Sequence, residues 1–235
     1  MPTGFAENIR SKESPSMTLI AEATPIIANP RPMSLDYSGL FRSIGSSSIE
    51  EMIVVLAREL PYLWRDAYDR NCARRTSIVR VQDNSFEYIY DNYSYLESTG
   101  VVPYDPIIED RLVAAVGRSL SGLKPRDDYR LRGWVGPTET TYSKRYDKGH
   151  FIAHSIGGAV DRSEMNVFVQ RRDLNRGWSE EGKLYRAMEK YCVAHPGTFC
   201  FSRPLYEDQT SKPSYLEFGI LKNAGELWVE CFDNR

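Results

Sequence analysis

Apolar residues Ile49, Met52, Ile53, Leu56, Leu60, Leu63 and Trp64 recur at the three- and four-residue spacing of one helix face. Just ahead of them stands Ser48-Ile49-Glu50-Glu51. This is a capping box: the hydroxyl, and the carboxylate three residues on, take up amides that a helix start leaves without partners. A helix is predicted from there, kinked at Pro61, whose ring removes a donor. Ser77–Val81 and Phe86–Tyr90 are short runs of strand-forming residues around Asp83-Asn84, and they predict a hairpin. Asp105-Pro106 reads as an N-cap followed by a proline at the first helical position, so Ile107–Leu120 is expected to be an amphipathic helix. Residues 1–47 are rich in Ser, Pro and Ala and hold no persistent pattern, as expected of an extended or disordered arm. Residues 48–122 thus read as an α-rich accessory region, and it contains no histidine.

The pattern changes in residues 123–235. Strands are predicted at Tyr129–Val135, Tyr146–Ala153 and Asn166–Gln170, with a turn at Ile156-Gly157-Gly158-Ala159. A helix is expected in the 179–194 region, ended by His195-Pro196-Gly197. Its apolar pattern is clean only from Leu184 to Tyr191, because Gly182 interrupts the early part. Thr198–Tyr206 follows as a strand, and Ser214–Lys222 with Glu226–Phe232 forms a hairpin around Asn223-Ala224-Gly225. Strands, then a helix, then strands make an α+β order rather than the alternation of a doubly wound sheet.

Composition narrows the class. Of the 235 residues, 41% are hydrophobic and 26% charged, the balance of a soluble globular protein. No apolar run approaches the ~20 residues of a membrane span. The N-terminus lacks a basic start with an apolar core, so a cytoplasmic protein is expected, with a secreted effector as the alternative. Cys72, Cys192, Cys200 and Cys231 include no CxxC pair and read as reduced thiols; in an oxidising compartment Cys200 and Cys231 would be the candidates to pair. Trp134, Trp178 and Trp228 read as core. The net charge of −2 argues against a wholly electrostatic nucleic-acid binder. Residues 124–190 nonetheless hold 14 basic and 10 acidic residues, a local net of +4 that suits a phosphate-facing surface.

All three histidines, His150, His154 and His195, lie in this half. His150 and His154 are four apart, but glycines flank the segment and the glutamate of a zinc-binding HExxH helix is missing. On a strand the two would share a face, which makes His154 a neighbour or a hydrogen-bonded core residue rather than a second catalyst. Around them run, in order, Asp147-Lys148-Gly149-His150, then Asn166-Val167-Phe168-Val169-Gln170, then Leu174-Asn175-Arg176-Gly177-Trp178, and finally Met188-Glu189-Lys190-Tyr191.

These four ordered elements resemble the DNA/RNA non-specific endonuclease family of the ββα-metal fold, the family of the Serratia nuclease and endonuclease G. That family carries DRGH on a strand, an N-x-x-P-Q stretch, and L-N-x-x opening a helix that bears a glutamate. The chain departs from it with Lys148 for arginine, Val169 for proline, and six extra residues between Asn175 and Glu189, which leaves Glu180 and Glu181 as rivals for the glutamate's role.

The resemblance implies a ββα-metal nuclease core with an antiparallel sheet, preceded by the α-rich region. It implies His150 as general base, Asn175 as the protein ligand of Mg²⁺ (Mn²⁺ substituting), and Glu189 orienting the metal's waters. Lys148, Arg171, Arg172 and Arg176 would face substrate phosphates, with Asp147, Asn166 and Gln170 in support. The chemistry fits the residue types: a neutral imidazole can take a proton from water near pH 7, and a hard cation offsets phosphate charge. The bland alternatives are a satisfied buried histidine, a helix-capping asparagine and a solvated arginine cluster. The implied function is hydrolysis of DNA, with RNA as a further substrate, leaving 5′-phosphate and 3′-hydroxyl ends. An unrestrained nuclease is lethal, so a regulated bacterial toxin or defence effector is expected. An immunity or regulatory partner would bind through the N-terminal half, and a homodimer is one assembly open to the chain. The rival reading is an inactive nucleic-acid-binding or assembly module on the same fold.

Overall fold

The computed structural model describes residues 35–44, 48–121, 143–158 and 164–235. Part of the expected arm is ordered: Tyr37–Ile44 forms helix α1, and Tyr37 is buried. Its hydroxyl donates to Glu217 at 2.6 Å and accepts from Trp64 Nε1 at 3.1 Å, which ties α1 to elements far along the chain. Residues 1–34 and 45–47 lie outside the described residues, as does the expected strand Tyr129–Val135. Helix α2, Ile49–Asn71, begins at the predicted capping box: Glu51 N donates to Ser48 Oγ, and Ser48 N to Glu51 Oε2. It continues past Pro61 for ten residues, to Asn71.

Strands β1 (Ile78–Asp83) and β2 (Phe86–Asp91) form the predicted hairpin, with Asn84 in the left-handed conformation the turn requires (φ 53°). Helix α3, Tyr93–Ser98, follows. The expected helix Ile107–Leu120 is instead strand β3, Arg111–Arg118. Asp105 Oδ1 accepts from Ile107 N at 3.0 Å, closing a turn instead of starting a helix. The run Leu112-Val113-Ala114-Ala115-Val116 is buried on both faces, so it lacks the alternation that marks a half-exposed strand. A register shift opposite Ile89 and Tyr90 leaves Val113 as an extra residue.

One antiparallel sheet runs in the order β1-β2-β3-β6-β7-β8, where β6 is Phe199–Leu205, β7 Tyr215–Leu221 and β8 Leu227–Asp233. Strands from both sides of residue 122 therefore build a single sheet, and Pro32–Arg235 forms one compact unit. Its two faces carry two cores. On one, Leu56, Leu60 and Trp64 of α2 pack on Val113, Val116, Phe199 and Phe201. Wholly buried Leu56 and Leu60 each gain roughly 1.5–3 kcal/mol from that burial.

The opposite face carries a second layer. Strands β4 (Tyr146–His150) and β5 (Val167–Arg171) pair antiparallel, and helices α4 (Arg172–Arg176) and α5 (Glu180–Ala194) follow directly. Tyr185 and Met188 of α5 join Phe218 and Phe232 of the sheet, with the Tyr185 ring edge-on to both phenyl groups. Buried Asn234 stitches the chain end to β5: its amide donates to Val169 O and accepts from Arg171 N. All four cysteines are free thiols. Cys200 lies beside Cys192 of α5, with both buried, while β7 separates it from Cys231. Among the described residues no helix is long and apolar enough to cross a membrane.

Candidate active site

The β4–β5 register sets Asp147 opposite Gln170 and His150 opposite Val167. Gly149 is required by packing: a Cβ there would overlap the Gln170 side chain, which is buried against the glycine. β4 ends at His150, shorter than expected, because Asn166 captures the chain beyond it. Its Oδ1 accepts from Ile152 N at 2.8 Å and its Nδ2 donates to Ile152 O at 2.9 Å. The backbone then turns into a short 3-10 segment, His154–Ile156, so His150 and His154 do not share a strand. Gly158 sits so close that a Cβ would strike Ile152 O.

Asp147 is the hub of the local electrostatics. Its carboxylate accepts from Arg172 Nε (2.8 Å), from Arg176 Nε and Nη2 (2.6 and 3.1 Å), and at longer range from Asn175 Nδ2 (3.4 Å). Burial alone would raise its pKa, but the hydrogen bonds and charges of Arg176 and Arg172 outweigh that and hold it below the ordinary carboxylate value. With the Asn175 amino group turned to Asp147, its amide oxygen is the end left for a ligand.

A cleft of about 510 Å³ opens between β4, β5 and the two helices. Lys148, His150, Gln170, Asn175, Arg176 and Glu189 line it, joined by His154, Ser155 and Arg186. Six residues singled out in the sequence thus meet in one cavity. Desolvation lowers the Lys148 pKa. Glu189 is buried, and desolvation raises its pKa although Arg186 Nη1, 2.6 Å away, pulls it down. Gln170 is buried beside the Tyr185 hydroxyl, which burial pushes well above the ordinary phenol range. Three basic side chains (Lys148, Arg176, Arg186) and one carboxylate line the walls, which suits an anionic ligand.

Compared with known proteins, the chain matches no family model and no curated sequence.

The other expected residues stand back from the cleft. Arg171 donates to Asp173 at 2.6 Å and to Glu181 at 2.7 Å, and Arg172 is held by Asp147; neither lines the cavity. Of the three rival glutamates, Glu180 is exposed and paired with Lys183, and Glu181 is paired with Arg171. Only Glu189 reaches the cleft. Yet α5 starts at Glu180, capped by Ser179, so the extra residues do lengthen its start. Gly182 does not interrupt it: the residue is a contact glycine in the first turn, where a Cβ would overlap Asp173 O. Arg186 carried no motif signal beyond its place one turn before Glu189. Trp178, expected in the core, is 63% exposed. Trp228 is half-buried at the sheet edge, and Trp134 lies outside the described residues. Among the described residues no group of three or more His, Cys, Asp or Glu is arranged to hold a metal ion.

Proposed function

We propose that this chain is a Mg²⁺-dependent endonuclease, with Mn²⁺ as a substitute, that hydrolyses phosphodiester bonds of DNA, and of RNA, without strong sequence preference. The observation that carries the reading is the convergence of His150, Asn175, Glu189, Lys148 and Arg176 on one polar cleft. The donor set suits magnesium, which keeps several waters and needs few protein ligands. The Asn175 oxygen and the Glu189 carboxylate would hold such a hydrated ion, and the cavity has room for it. When bound, the ion supplies charge stabilisation to the phosphate and the leaving oxygen.

The rest falls to the chain's own residues. His150 takes the proton of the attacking water. Lys148, Arg176 and Arg186 draw the anionic backbone in and orient it. Asp147 fixes Arg176 and the Asn175 amide, so the cleft is preorganised before substrate arrives. A regulated toxin or defence effector, restrained by a protein partner, is the physiological setting we favour for such an activity.

The test is nicking of supercoiled plasmid by the purified full-length chain. Cleavage with Mg²⁺ or Mn²⁺, abolished by EDTA, is expected. Folded protein that binds nucleic acid but cleaves under no divalent ion would replace this reading with an inactive binding module.

A further inference from the structure

Trp178 has an environment unlike that of the wholly buried Trp64: 63% of its surface faces solvent. Nothing loose in the backbone puts it there. The Trp178 N–H donates to Asp173 O at 2.8 Å, Gly177 before it makes the left-handed turn that ends α4 (φ 71°), and Ser179 after it caps α5. The indole is thus displayed from a three-residue link anchored on both sides. Its neighbour is part of the site. The Arg176 guanidinium carbon lies 5.0 Å from the Trp178 ring centroid, and the same group is gripped at Nε and Nη2 by Asp147 and lines the cleft. A positively charged cavity therefore continues, through one immobilised guanidinium, onto an exposed aromatic surface.

We infer that Trp178, backed by Arg176, is a stacking subsite for a nucleobase next to the phosphate held in the cleft. The inference rests on the nuclease reading and names how that site takes its substrate. An indole offers a flat apolar face that every base can use, so it adds affinity without sequence preference. Such a subsite takes a single strand or an unstacked end, because a base inside a duplex has no free face to offer.

Binding and cleavage separate the two claims. Labelled oligothymidylate, and an abasic strand of the same length, are titrated in EDTA into the full-length protein, Trp178→Ala and Trp178→Phe, with fluorescence anisotropy as readout. Stacking predicts that Trp178→Ala weakens thymidylate binding by about 5- to 150-fold, that Trp178→Phe keeps most of it, and that abasic binding changes less than about twofold. Equal loss on both strands would make Trp178 a prop for the α4–α5 link, and equal thymidylate affinity in wild type and Trp178→Ala would make the ring a bystander; either result overturns the subsite. Plasmid nicking by the wild type in the same preparation leaves the nuclease reading standing in those cases. Wild-type protein that neither binds nor nicks would remove both.

Discussion

Asp147→Asn isolates the knot that organises the cleft. The substitution keeps the shape and one acceptor oxygen but removes the charge that Arg172 and Arg176 share. Hydrogen bonds to charged groups contribute about 1.5–3 kcal/mol each. The Asp147 side chain is only 13% exposed, so little water replaces them on its side. Arg176 is 46% exposed and regains hydration when released, which keeps the loss well below the sum of the bonds. We expect a net loss of about 2–3 kcal/mol, or a fall in Tm of roughly 4–12 °C for a chain of this size. Thermal unfolding at pH 7, followed by circular dichroism, measures it. The pH dependence is a second check. The folded-state pKa of Asp147 lies below its unfolded value, so its stabilisation is fully present above the ordinary carboxylate value of about 3.9 and is lost as pH falls through the folded value. The gap between wild type and variant should therefore be constant from pH 7 to about pH 5 and close below pH 4. Comparing the two proteins cancels the other carboxylates to first order. A gap under about 0.5 kcal/mol at pH 7, or one that widens in acid, would refute the ion-pair knot.

Two further substitutions probe the reaction groups. His150→Ala should lower plasmid cleavage about 10²–10⁴-fold and His154→Ala far less; equal losses in a nicking time course would return a paired-histidine site to consideration. Glu189→Gln should weaken Mg²⁺-dependent cleavage by about 10- to 100-fold, against little change for Glu180→Gln or Glu181→Gln, whose carboxylates are occupied away from the cleft. Because burial raises the Glu189 pKa, its contribution to stability is lost as pH rises through the folded value. The glutamine variant should accordingly melt no lower than wild type at pH 8 without metal, and a clear drop in Tm there would mean that the Arg186 pair matters more than the desolvation it opposes.

Much of the local structure was legible because its causes are local. The capping box at Ser48 starts α2 and Asn84 turns the first hairpin, each through contacts within a few residues. The grouping of His150, Asn175 and Glu189 was an expectation from the motif resemblance, not from any local pattern. In the structure β4, β5, α4 and α5 bring these residues to one cleft.

Tertiary packing decided the rest. β3 is a strand because the sheet covers both its faces, and an apolar run with no exposed side carries no period that separates strand from helix. The merging of the two halves into one sheet depends on β3 pairing with β6, more than 80 residues away, which no local pattern encodes. Which arginine faces the cleft was likewise beyond the sequence: Arg171, Arg172 and Arg176 look alike there, and only the positions of Asp147, Asp173 and Glu181 in space divide them. The same holds for the exposed Trp178 and for Arg186. Periodicity reports which side chains can be buried, whereas a partner or a solvent face exists only once distant segments have packed and left some groups outside.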